Sequence, residues 1–180
     1  MDAPYAGGVN DVVGALRLEP SGRPGFPWGT VTAGGREMAR LGRYSALNTF
    51  LLRGQRIEVD GRPWRMKGVG WHRMVVPVLF DDQKQKVATS AAGPKDYAIT
   101  CRDRAFSLIP AEKRPGRPRV WHLLSFNEPV ATVRRNPYEA EIGEPIPLPA
   151  LLMAWTLATL GCMGEKELVQ SMGWTGPIAH

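Results

Sequence analysis

The residues of this chain best suited to chemistry are its cations. The stretch KRPGRPR at 113–119 puts Lys113, Arg114, Arg117 and Arg119 into seven residues, and Lys84, Lys86, Arg134 and Arg135 fall beside turns or strand ends. Guanidinium and ammonium groups gathered on one surface suit phosphate, and each contributes about 1 kcal/mol near an anionic membrane. These eight residues are the expected anion-binding set if the fold brings them to one rim; scattered, they only aid solubility. The 180 residues carry a formal charge of +6, which points to nucleic acid, anionic lipid or an acidic protein.

The tripeptide Gly116-Arg117-Pro118 matches the core of a minor-groove hook, in which an arginine reads the narrow, negative floor. Minor-groove binding through the 113–119 loop would show steep salt dependence. However, Gly-Arg-Pro recurs at 22–24 and at 61–63, the latter inside a hairpin turn through which no DNA can thread. Composition explains a tripeptide that recurs in a chain rich in Arg, Gly and Pro, so nucleic acid is not the expected partner.

Catalytic and metal signals are weak. His72, His122 and His180 with Cys101 and Cys162 show no metal-ligand spacing. Cys101 and His122 as nucleophile and base lack a nucleophile elbow and oxyanion donors. No phosphate-cradling loop, dinucleotide glycine pattern or paired-carboxylate arrangement is present. A non-enzymatic binding domain without cofactor or metal is expected. Trp28, Trp64, Trp71, Trp121 and Trp155 occupy core-like positions, whereas Trp174 stands in the tail as a candidate membrane or partner anchor.

The elements that must position these residues read as strands. Residues 1–27, with little apolar periodicity, form a loosely ordered arm with a short helical turn at 12–18. From 28 onward short strands alternate with turn signals. Gly34-Gly35 joins 28–33 to 37–41, and Asp60-Gly61 joins 56–59 to 64–66. Further hairpins turn at Asp81-Asp82, Arg102-Asp103 and Asn127-Glu128; 44–52 reads as strand or short helix, and 138–142 is a last strand. Eleven or twelve strands at this spacing indicate an all-β sandwich or barrel. Residues 149–164 (PALLMAWTLATLGCMG) form a helix apolar all round, which must be enclosed by protein or lipid. A barrel of a dozen antiparallel strands has an interior to fill, and this helix is the filler. The expected fold is therefore all-β with one buried helix: an antiparallel barrel of about 12 strands at 28–164 enclosing a hydrophobic C-terminal α-helix. Residues 165–180 form a peripheral tail.

A dozen antiparallel strands ending in a hydrophobic helix resembles the superfamily of tubby C-terminal domains, phospholipid scramblases and LURP-one-related proteins. The resemblance is carried by VWHLL at 120–124, VATVRR at 130–135, EAEI at 139–142 and PIPLPALLMAW at 145–155. It implies a barrel around a central helix and binding to anionic phospholipid or an acidic protein. The acidic calcium segment of scramblases has no counterpart, since Asp81-Asp82 precedes Gln-Lys-Gln-Lys, and no cysteine-rich or proline-repeat arm appears. Scrambling activity is therefore not implied, and no phosphoinositide-contacting residue is carried over.

A competing reading takes 146–164, uncharged throughout, as the membrane anchor of a β domain. Glu144, Glu165 and Glu167 flank that run where snorkelling cations would be expected. The start MDAPYAGGVNDVVG lacks a basic region followed by an apolar one, so the expected location is the cytoplasm, peripheral to a membrane where lipid is the partner.

Overall fold

A computed structural model describes residues 11–20, 29–42, 54–69, 76–92, 96–111, 118–135 and 137–160. Twelve strands run in chain order: β1 (Asp11–Pro20), β2 (Gly29–Ala33), β3 (Arg36–Leu41), β4 (Gln55–Val59), β5 (Arg62–Val69) and β6 (Val76–Phe80). β7 (Lys86–Ala92), β8 (Tyr97–Cys101), β9 (Arg104–Pro110), β10 (Val120–Ser125), β11 (Glu128–Arg134) and β12 (Glu139–Pro147) follow, then helix α1 (Leu148–Leu160). Each strand pairs antiparallel with its sequence neighbours, and β1 pairs with β12 to close the barrel. Closure removes every sheet edge.

Turn chemistry sets the register. Asp60-Gly61 and Gly34-Gly35 have positive φ at both residues, the condition of a type I′ turn that matches strand twist. The turn expected at Asn127-Glu128 lies one residue earlier, where Phe126 and Asn127 have φ of 50° and 68°. Phe126 bears the cost of that left-handed conformation at the hairpin tip, 98% exposed.

The largest correction concerns the first strand. The arm expected over 1–27, with a helical turn at 12–18, contains instead the ten-residue strand β1, whose Val12, Leu16 and Leu18 are buried. The pairing Leu16↔Ala140 joins residues more than a hundred positions apart, and the register jump between Val12 and Gly14 breaks the alternation that would reveal a strand. The segment 44–52, expected as strand or short helix, lies outside the described residues.

The barrel encloses α1. From Leu148 to Thr159 the helix has no exposed face, and it touches β6, β7 and β8 on one side and β11 and β12 on the other. Its two polar side chains are satisfied by the helix itself: Thr156 and Thr159 donate to the carbonyls of Leu152 and Trp155 at 3.0 and 2.9 Å. The Trp155 indole donates to the Glu139 carbonyl at 3.3 Å. At 13 residues, with Ile146 and all side chains to Thr159 buried, the described part of 146–164 is a core element rather than a membrane anchor. No helix among the described residues is long and apolar enough to cross a membrane.

Antiparallel alternation gives the barrel two unlike ends. The tight turns after β2, β4, β6, β8 and β10 share one end, here the turn end. β12 also finishes there, so α1 enters at the turn end and its last turn reaches the far end beside Tyr138. At the turn end Arg104 bridges the mouth, donating to the Pro145 carbonyl at 2.8 Å and pairing with Asp11 at 3.3 Å.

Candidate anion-binding surface

The strand order sorts the sequence-identified cations. Lys84 lies in the β6–β7 turn and Lys86 opens β7, both at the turn end. Arg119 precedes β10, Arg134 closes β11 and Arg135 follows it, all at the far end. The single rim patch expected of these residues is therefore split between opposite ends of the barrel. Lys113, Arg114 and Arg117 lie outside the described residues, as do His72, His180, Cys162, Trp28, Trp71 and Trp174.

The turn-end pair joins cations on the outer wall. With a two-residue turn at 60–61, Val59 pairs with Arg62 and Arg56 therefore pairs with Arg65. Register continues the row: Arg65 opposes Phe80, and Phe80 opposes Lys86. Alternation turns Arg56 and Arg65 outward, because Ile57, Trp64 and Met66 are buried in the core. Arg56, Arg65, Lys67 and Lys84 line a groove of about 380 Å³ whose other walls include Pro63 and Phe80. A second groove of about 440 Å³ shares Arg56 and Pro63 and extends to Arg40 and Glu58.

The electrostatics of the groove are unbalanced. Like charges directly opposite on a ladder destabilise it, yet neither Arg56 nor Arg65 forms an ion pair or side-chain hydrogen bond with a described residue. The carboxylate of Asp81 is committed to the turn: its Oδ1 accepts the N–H groups of Gln83 and Gln85 at 2.9 and 2.8 Å. Arg40, at the groove's other end, is held by Glu37 at 3.0 Å. Asp82 lines the groove as well, so four cations face two carboxylates, and Arg56 and Arg65 stand near Phe80 without an ion pair among the described residues.

At the far end Arg119 and Arg135 form a second opposed pair, with the Arg135 N–H donating to the Arg119 carbonyl at 2.9 Å. Arg134 points outward, since its neighbours Val133 and Trp121 fill the core.

Cys101 and His122 do not assemble. Cys101 faces the interior of β8, fully buried, while His122 faces outward on β10 with its Nδ1 3.4 Å from the Thr132 hydroxyl. Strand β9 separates them. Burial pushes the Cys101 thiol up to about 11; Arg102 and Arg104 lower it, Asp11 raises it, and the Ala150 N–H bonded to the sulfur lowers it. That N–H belongs to the first turn of α1, which has no acidic residue of its own. That contact sets Cys101 at the entry of the helix, where the first N–H groups lack intrahelical partners.

No protein-family model, curated protein or solved structure matches the chain.

Proposed function

We propose that this protein is a non-enzymatic binding domain that docks on anionic phospholipid through the outer-wall groove over β4–β6. The observation that carries this reading is the Arg56–Arg65 pair, two guanidiniums opposed on adjacent strands and ion-paired to no described residue. A phosphate placed there turns their repulsion into two charge-assisted contacts. Lys67, Lys84 and Lys86 extend the positive surface, and Phe80 and Pro63 supply apolar contact for the glycerol and upper acyl region. The resemblance to tubby-like and LURP-one-related proteins supports the same reading, because a closed barrel around its own helix leaves ligands to the outside.

Sedimentation with vesicles tests it. Wild-type protein is expected to bind phosphatidylcholine vesicles only when phosphatidylserine is added, and to be released by high salt. The double variant Arg56→Gln, Arg65→Gln is expected to lose binding while keeping its far-UV circular dichroism. Equal binding to neutral vesicles, or undiminished binding by the double variant, would overturn the proposal.

A further inference from the structure

We infer that the far mouth of the barrel holds a second anion site, independent of the wall groove, in which Arg119, Arg135 and Trp121 receive a phosphate-class oxyanion. The register builds it. Trp121 and Val133 are partners facing the interior, and Val120 and Arg134 are the next rung, facing out. The Arg135 N–H to Arg119 carbonyl bond carries the ladder one rung further, which sets the half-buried Arg135 and the exposed Arg119 opposite each other at the mouth, beyond Trp121. Trp121 is 3% exposed, and the Tyr97 ring stands beside it with centroids 6.1 Å apart.

The hydrogen-bond inventory points to the ligand. Arg135 Nε and Trp121 Nε1 are both buried without a hydrogen-bond partner. Neither the Arg119 nor the Arg135 guanidinium forms an ion pair with a described residue. Arginine and indole donate and never accept, so these groups cannot satisfy one another. A buried donor without an acceptor is costly. Each of these groups calls for the same kind of complement, an acceptor-only anion. Two guanidiniums match the charge of a phosphate, between one and two negative charges at neutral pH, better than that of a carboxylate.

A simpler role exists for the same arginines. The last turn of α1 carries no basic residue and ends at this mouth, where a cation would offset the helix dipole. That role leaves the Trp121 N–H unexplained, and Arg135 makes no hydrogen bond to a helix carbonyl.

Calorimetric titration of the full chain with inorganic phosphate at constant ionic strength, with acetate as the planar monoanion, separates the two roles. Saturable phosphate binding, weak acetate binding and a loss of about tenfold or more in Arg135→Gln are expected. Trp121→Phe should weaken phosphate severalfold, and the Arg56→Gln, Arg65→Gln variant, which loses whatever phosphate the wall groove takes, should keep a saturable component that Arg135→Gln removes. Absence of saturable phosphate heat, or unchanged affinity in Arg135→Gln, would overturn the inference; lowered stability with unchanged affinity would assign Arg135 to the helix end. Should Arg135→Gln fail to fold, Trp121→Phe decides, because unchanged affinity there is equally fatal. Loss of phosphate binding only in the Arg56, Arg65 variant would place the anion on the wall and also count against the mouth.

Discussion

The Tyr138 hydroxyl lies 2.9 Å from Thr159 Oγ1, inside the barrel and across its far end. Thr159 spends its own proton on the Trp155 carbonyl, so Tyr138 is the donor and Thr159 the acceptor. Tyr138 is also tied to the wall, its carbonyl accepting the N–H of Leu18 on β1 at 2.9 Å. Its ring meets Trp155 edge-on, with centroids 6.4 Å apart. One residue thus joins the last turn of the enclosed helix to the seam that closes the barrel.

Tyr138→Phe removes the donor and leaves the ring packing and the Thr159–Trp155 bond intact. The expected cost is about 1 kcal/mol, the net worth of one buried hydrogen bond. Thr159→Val removes both bonds, so in urea unfolding the double variant should cost less than the sum of the single ones. Strict additivity would mean that the two hydroxyls do not interact.

Cys101 gives the stability curve an alkaline limb. Burial holds the folded thiol near 11 against an ordinary value of 9.0. Below pH 9 the thiol is protonated in both states and its contribution is fully present. Between pH 9 and 11 the unfolded chain releases the proton while the folded one keeps it, so stability falls by about 2 kcal/mol as pH rises through that window. Cys101→Ala removes this limb, and the difference between the two pH profiles isolates it from the titration of lysines. The native thiol should also resist alkylation at pH 8 until the chain is unfolded.

Much of this architecture is written locally. Asp-Gly at 60–61 and Gly-Gly at 34–35 mark hairpins because only certain residues tolerate positive φ. The helix announces its enclosure by lacking any polar face. β1 is hidden for the opposite reason: its partner β12 is remote in sequence, and the register jump by Gly14 interrupts its alternation. The split of Lys84 and Lys86 from Arg134 and Arg135 could have been read by counting strands, since successive turns alternate between ends. The Arg56–Arg65 pair was legible too. Counting four residues back from Asp60 and four forward from Gly61 sets them opposite each other, but each alone reads as an ordinary solvent-facing position. The far-mouth cluster was not legible, because the alternation of Arg119 and Arg135 becomes definite only once the ladder is known to run past β10 and β11.

The wall groove carries a conflict between stability and binding that a single substitution can expose. Arg56 and Arg65 repel across the β4–β5 ladder, and directly opposed like charges cost roughly 0.2–1 kcal/mol. Arg65→Gln should therefore raise the melting temperature of the isolated protein at low ionic strength. The gain should shrink in high salt, where the repulsion is already screened. The same substitution should weaken association with anionic vesicles, so stability and binding move in opposite directions. A melting temperature that falls in Arg65→Gln would mean that the arginine is held by packing along its aliphatic stem against Phe80, and that the repulsion is too weak to drive ligand capture.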